Sequence, residues 1–384
     1  MKRRTSEQTN HSETASARLA TRIAFFVAGM SSIWAPLVPF AKANVGADEA
    51  QFGLILLCLG IGSLVAMPIT GVLAARAGAK PIILFGGFGM ALALPMVIFP
   101  TSGWYLAGAL FLVGATVGSL DVSMNIHGAR IEELEKRPLM SGFHAFFSVG
   151  GFFGASLCTG LLAYGFTPTF TALCGGAIAF VLMLFASSRF LRAKAHEPEP
   201  FVLPRGVVLL LALLTGILFL VEGAMLDWGA LVLIERNITE AETAGLGYMV
   251  FSIAMVLARL NGDRLVGYLG QFRILFFGGL LTAIGLGVIV AASGQTVALS
   301  GFLLVGLGAS NVVPVLFSLA GRQKIMPPGL AIASISIVGY AGILLGPALI
   351  GFAAKLTSLP LAFLALAALM TMLPLTAKIV VPKQ

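Results

Sequence analysis

Charge is what this chain has least of. Only 10% of its 384 residues are Asp, Glu, Lys or Arg, against 58% hydrophobic, and no water-facing surface of ordinary size can be built from so few. A soluble globular domain is thereby excluded. Cysteine is scarce too: Cys58, Cys158 and Cys174 stand at unrelated spacings, which leaves neither a disulfide framework nor a metal-ligand pattern to read. Histidine occurs four times, never as H-E-x-x-H, and no G-x-x-x-x-G-K-[ST] stretch is present. Zinc-hydrolase chemistry and ATP hydrolysis in this chain are therefore not expected. Neither an enzyme nor a cofactor is anticipated.

Long apolar runs are abundant. Twelve can be counted, at roughly 21 to 41, 50 to 75, 81 to 99, 103 to 128, 139 to 163, 169 to 190, 206 to 235, 243 to 262, 273 to 292, 297 to 321, 329 to 353 and 359 to 378. Crossing ~30 Å of hydrocarbon takes ~20 residues of helix, whereas barrel strands would alternate in character. The expected class is an all-α polytopic membrane protein with twelve transmembrane helices. The polar start, residues 1 to 17, has too few apolar residues to offset ordering entropy and is expected to be a disordered tail. AKA at 41 to 43 has the form of a signal cleavage site, but the run before it is long and holds Pro36 and Pro39, so a retained helix is expected.

Orientation follows from the basic residues. With both termini placed in the cytoplasm, 21 of the 24 fall on that side, and only Lys42, Arg236 and Lys355 fall outside, as the positive-inside rule requires. The net charge of +8 is accounted for by a basic inner rim against anionic lipid, with no nucleic-acid partner. The stretch SSRFLRAKAHEPEPFVLPRG, 187 to 206, is the longest polar interruption. It predicts a first six-helix bundle at 18 to 190, a cytoplasmic linker at 191 to 205 and a second bundle at 206 to 384. An offset of about 190 residues matches Gly118 and Asp121 to Gly308 and Asn311, and Gly150 and Gly154 to Gly342 and Gly346. Two parallel repeats are implied.

Between the second and third runs lies GVLAARAGAK (71 to 80), and between the eighth and ninth RLNGDRLVGYLG (259 to 270). The latter resembles the inner-loop signature of the major facilitator superfamily, with Gly262, Asp263 and Arg264 in the expected positions; Ala75 stands where the first copy usually has an acid. Such a loop places a carboxylate and a guanidinium where they latch helix ends, which singles out Arg76, Asp263 and Arg264. The alternative is a tight turn with ordinary inner positive charges. The stretches WAPLVPFAKANVGADEAQFG, MNIHGARIEELEKRPLMSGFHAFFSVG, EGAMLDW and GYAGILLGPALIG are similar to the bacterial branch holding the rhizopine-transport protein and fucose-permease-like relatives. The resemblance implies the major facilitator fold, a bacterial inner-membrane location and a transporter, without naming its cargo. A monomer is expected.

The candidate site residues are the polar ones at depth. In LFLVEGAMLDWGALVL, 218 to 233, Glu222 lies near the middle of the seventh helix and Asp227 about 7 to 8 Å further on, rotated ~140° away. Burying either costs about 2.5 to 3.5 kcal/mol even on a lenient scale, so each must face protein or water. Glu222 is read as a proton or substrate group, or else an interhelical partner; Asp227 as structural or functional. Gly223 and Gly229 predict a bend there. Trp228 and Trp34 are candidate cavity aromatics or anchors. On the fourth helix Gly114, Gly118, Asp121, Asn125 and Gly128 share a face, as do His144, Ser148, Gly151 and Ala155 on the fifth. The two stripes are expected to meet and pair Asp121 with His144, as proton site, gate or packing. His127 is expected at an interface, and ARIEELEKRP, 129 to 138, along the inner surface. Asn311 beside Pro314, and Tyr340 near Gly346-Pro347, complete the set.

These residues point to a secondary active transporter moving a small polar solute, a sugar, polyol or related metabolite, coupled to protons. The alternatives are proton-driven export of drugs or metabolites, which the lack of a Pro after the helix-five glycine disfavours, and a non-transporting sensor or scaffold.

Overall fold

The computed structural model describes residues 2–99, 101–135, 139–191 and 203–381, and the chain is helical almost throughout, with no strand among them. Among the described residues, eleven helices are long and apolar enough to cross a membrane, and the shorter apolar Leu246–Leu260 stands with them as a twelfth. Numbered in chain order, helix 1 comprises Lys2–Gly29, a 3-10 turn at Met30–Ile33, and Trp34–Val45. Helix 2 is Glu49–Ala77, helix 3 Ala79–Ala93 with a 3-10 turn Leu94–Ile98, helix 4 Gly103–Glu135, helix 5 Met140–Ala163 and helix 6 Pro168–Ser187. Helix 7 is Val207–Asp227 continued by Gly229–Glu235. Helix 8 is Leu246–Leu260 continued by residues 262–269, and helix 9 is 271–291; the stretch Gly262–Ala291 turns at Gly270. Helix 10 is Gln295–Ala309 and Val312–Arg322, helix 11 Pro328–Leu356, and helix 12 Leu359–Met370 with Met372–Val380.

Packing divides the chain into two units, Met1–Ile33 with Cys58–Pro198, and Trp34–Leu57 with Glu199–Gln384. This differs from the division at residue 190 in one place. Trp34–Leu57, the second part of helix 1 and the start of helix 2, packs with the second unit. Small residues make that approach possible: a Cβ on Gly53 would lie 2.7 Å from the Pro347 carbonyl oxygen, and one on Gly351 2.4 Å from that of Glu49. Most of the linker, residues 192–202, lies outside the described residues.

Three expectations are corrected. The start of the chain continues helix 1 back to Lys2, because extending an existing helix needs no new nucleus. Residues 129–135 do not form a separate surface helix but prolong helix 4; Glu132 there accepts from the backbone N–H groups of Leu139 (2.6 Å) and Met140 (2.9 Å), capping helix 5. The turn between helices 8 and 9 falls at Gly270, not at the G-D-R triplet. Gly78 (φ 86, ψ 162) and Gly270 (φ 78, ψ 158) adopt one left-handed conformation 192 residues apart, which glycine alone takes at no steric cost. The triplet thus sits inside helix 8, and Arg259 lies eleven residues, about 16 Å, from the turn.

The repeat is visible in the packing of each unit. A Cβ on Gly150 of helix 5 would lie 2.0 Å from the Phe26 carbonyl oxygen of helix 1, and one on Gly342 of helix 11 2.3 Å from that of Gly216 of helix 7. Both members of the pair shift by about 190 residues, so the same helix contact is built twice.

Candidate functional site

The charged residues at depth in the second unit assemble around breaks in three helices. Pro314 has no N–H to give the carbonyl four residues earlier, and helix 10 is interrupted at Ser310–Asn311. The Ser310 oxygen so released is taken by Nε of Arg259 at 3.2 Å. Helix 8 breaks beside it, at Asn261, and the Ala258 carbonyl accepts from Nδ2 of Asn311 at 3.1 Å. Each broken helix therefore satisfies the other's orphaned carbonyl, as buried backbone groups require. Asn311 also donates to Oγ of Ser310 at 3.1 Å and is buried. Its Oδ1 occupies the space a Cβ on Gly262 would need, 2.2 Å away, which is why a glycine stands there in the middle of a crossing.

Arg259 reaches onward to helix 7, where Nη2 stands 3.5 Å from Oε1 of Glu222. The side chains are 34% and 22% exposed. Phe219, one turn before Glu222 on the same face, meets the ring of Tyr340 edge-on at 6.0 Å. Glu222, Asn311 and Tyr340 stand among the candidates the sequence offers, whereas Arg259 falls in sequence with the inner-loop charges. The signal that locates it is the glycine pair 78 and 270, whose common offset extends helix 8 past Arg259.

Asp227 is buried at the end of the first part of helix 7, and the helix breaks at Trp228 (φ −121, ψ −10), in the region where the glycines predict a bend. Its carboxylate accepts from Nε1 of Trp34 at 3.0 Å. Trp34 is itself buried at the point where helix 1 resumes after its 3-10 turn. Trp228 is fully buried, edge-on to Phe52 at 6.0 Å, and its indole nitrogen has no hydrogen-bond partner among the described residues. Lys42, Glu49, Trp228 and Glu235 line a cavity of about 210 Å³. The loop at its rim is tied by Lys42 to Glu49 (2.7 Å) and by Lys355 to Asp48 (3.0 Å).

In the first unit most glycines of the stripes on helices 4 and 5 have separate partners. Gly114 and Gly118 seat helix 2 at Leu59 and Ser63, whereas Gly150 and Gly151 seat helix 1 at Phe26 and Ser32. Helices 4 and 5 meet at Gly128, under Met140 and Phe143. The half-buried Asp121 is bonded by Nδ2 of Asn125 through its carbonyl (2.8 Å) and carboxylate (3.3 Å). His144 is exposed and lies edge-on to Phe25 at 5.1 Å. His127, expected at an interface, is fully buried. Its Nε2 accepts from the N–H of Leu191 at 2.9 Å, so the proton sits on Nδ1, 2.9 Å from the Thr21 oxygen. Arg76 is exposed in the last turn of helix 2 and Arg264 is exposed within 262–269; of Asp263 the backbone is described.

Twelve apolar crossings in two repeated sets, with ionisable side chains paired at mid-depth, define a membrane transport fold. The sequence profile of the Major Facilitator Superfamily matches residues 22–324, and the chain belongs to that family. It is 46% identical to an uncharacterised MFS-type transporter of Yersinia pestis over 95% of this chain and 96% of that one. It is 34% identical to an uncharacterised transporter of Sinorhizobium fredii, over 86% and 89%, and 26% identical to the membrane protein MosC of Rhizobium meliloti, over 90% and 85%. Among solved structures, a nucleoside transporter NupG variant matches with TM-score 0.78 at 12% identity (96% and 100% covered), and a D-xylose-proton symporter with 0.77 at 14% (96% and 98%). At such identities the likeness is one of fold.

Proposed function

We propose that the protein is a secondary active transporter that carries a small polar solute, a sugar, polyol or related metabolite, across the bacterial inner membrane and couples it to protons. The observation that carries this reading is the Arg259–Glu222 contact at mid-depth. Placing two ionisable groups there costs several kcal/mol, and a third of the Arg259 side chain remains exposed. In a hydrocarbon slab, that exposure is tolerable against water and polar solute, not against lipid.

Alternating access requires contacts that close one side and then part. Trp34–Leu57 supports that role, because it belongs by sequence with the first half and by packing with the second. The Trp34–Asp227 hydrogen bond and the Lys355–Asp48 pair are the contacts to be broken on opening. Asp121 and Asn125 form a second polar position on helix 4, with His144 on helix 5. Arg76, two residues before the Gly78 turn, is the inner-latch residue of the first half. Asp263 and Arg264 lie more than a turn before Gly270 and serve that role less well.

Both termini are assigned to the cytoplasm. Removing Arg259 from the inner count leaves the basic bias intact. The direct test is flux of a solute panel into proteoliposomes with an imposed pH gradient. Gradient-driven accumulation lost in Glu222→Gln supports the reading, and accumulation unchanged in that variant removes Glu222 from proton coupling.

A further inference from the structure

Resting on that reading, we infer that the transported solute carries an anionic group, a carboxylate on a small polar body, and that Arg259 binds it in competition with Glu222. The protein itself supplies the comparison. Where a carboxylate is committed to an arginine in this chain, the geometry is tight: Nη1 of Arg18 donates to both oxygens of Glu135, at 2.9 and 2.6 Å. Between Arg259 and Glu222 the one contact is at 3.5 Å, the outer limit of a hydrogen bond and far from the 2.7 to 2.9 Å of a charge-assisted pair. Nε is spent on the Ser310 carbonyl, which fixes the plane of the guanidinium. That leaves the Nη edge, the edge that takes a carboxylate through two parallel bonds, loosely held on a side chain that is part-exposed.

Among the described residues, the charge around the pair does not offer Glu222 another cation. Of the ionisable residues on elements packed against helix 7, Lys42, Arg322, Lys355 and Lys378 lie in the last turns of their helices. Asp227 is engaged by Trp34, and Tyr340 faces Phe219. A solute carboxylate arriving at Arg259 therefore displaces Glu222 from its neutralising partner. The freed carboxylate at mid-depth is then best stabilised by taking a proton from the water on the side of entry. One anion and one proton are carried as a neutral pair, and on release Glu222 gives up the proton and returns to Arg259. A neutral sugar would bind without displacing Glu222 and would leave solute and proton uncoupled at this site. The Phe219–Tyr340 edge beside the pair offers an aromatic surface to the rest of the solute.

The test uses purified full-length protein in proteoliposomes, with matched probes: gluconate and galacturonate against glucose, galactose and myo-inositol, each with and without an inwardly directed proton gradient. The inference expects gradient-driven uptake of an acid and none of its neutral counterpart. It also expects uptake weakened roughly a hundredfold in Arg259→Ala and less in Arg259→Lys, as loss of a charge-assisted bidentate pair dictates. In Glu222→Gln the acid is still bound, measured as thermal stabilisation of the solubilised protein, but the gradient no longer drives it. The Arg259→Lys and Glu222→Gln variants keep the inference testable should Arg259→Ala misfold. Uptake of a neutral probe indifferent to Arg259→Lys overturns the inference and leaves the transporter reading standing. Failure of every probe, acid and neutral, to bind or move counts against both.

Discussion

Nε1 of Trp34 donates to Oδ1 of Asp227 across 3.0 Å, although 193 residues separate them in the chain. Both are buried, and each stands where its helix resumes or breaks, Trp34 after a 3-10 turn and Asp227 before the non-helical Trp228. A buried carboxylate whose donor is removed keeps its desolvation penalty. Trp34→Phe should thus destabilise the protein by about 1 to 3 kcal/mol, whereas Asp227→Asn added to it should recover part of the loss. Thermal melts of the four proteins in one detergent check this. A Trp34→Phe variant that melts with the wild type would show the hydrogen bond to be unimportant.

Of the glycines that carry the repeat, Gly150 makes a sharper test, because it has a control on the same helix. Gly150 has the Phe26 carbonyl 2.0 Å from where a Cβ would stand, whereas a Cβ on Gly142 would meet nothing within 4 Å. Gly150→Ala should force helices 1 and 5 apart, costing at least the 1 to 3 kcal/mol of overpacking. Gly142→Ala should be neutral or stabilise by up to about 1 kcal/mol through helix propensity. Monodispersity by size-exclusion chromatography with melting temperature reads both. Equal behaviour of the two variants would contradict the packing.

Asp48 begins helix 2 with a reciprocal cap. Its carboxylate accepts from the N–H of Gln51 at 2.8 Å while Oε1 of Gln51 accepts from the Asp48 N–H at 3.2 Å, the capping-box arrangement. The Gln51 N–H, and after it the Lys355 ammonium, hold this carboxyl below its ordinary value. A depressed carboxyl contributes stability that is present above its unfolded pKa of about 3.9 and is lost as pH falls through the folded value. Acidification below the usual carboxylate range should therefore erase the stability difference between wild type and Asp48→Asn, and neutral pH should restore it. A difference that persists unchanged into acid would remove the charge from this account.

Legibility in the sequence followed the physics of each feature. The crossings were readable because apolar length is a local property, and only helix 8 came out short, since its break at Asn261 depends on Asn311 fifty residues away. Glu222, Asp227 and Asn311 stood out because polarity at depth is costly wherever it occurs. Arg259 did not, because a basic residue near a signature loop looks like any other inner charge until Gly270 is recognised as the turn. The partners of the helix 4 and helix 5 stripe glycines were hidden for a related reason. A small-residue face announces that something packs closely but not which helix does, and here helices 2 and 1 take those places. The burial of His127 is not legible in sequence because its partners, Thr21 and Leu191, are remote along the chain.

The reciprocal breaks of helices 8 and 10 predict a suppressor. Gly262 lacks a side chain because Oδ1 of Asn311 stands 2.2 Å from where its Cβ would be, and Asn311 is held there by its bond to the Ala258 carbonyl. Gly262→Ala should therefore push the amide off that carbonyl and destabilise by about 1 to 3 kcal/mol, the cost of an unsatisfied buried acceptor with some steric strain. Asn311→Ala should cost a similar amount by removing the donor while leaving the space empty. In the double variant the added methyl enters the volume the amide vacated, so the losses should fall well short of additive, by roughly 1 kcal/mol or more of coupling. The measurement is a double-mutant cycle on melting or denaturant stability, with Gly267→Ala, which meets nothing within 4 Å, as the neutral reference. Strict additivity would mean that the two positions do not share this space and that Gly262 is a glycine for another reason.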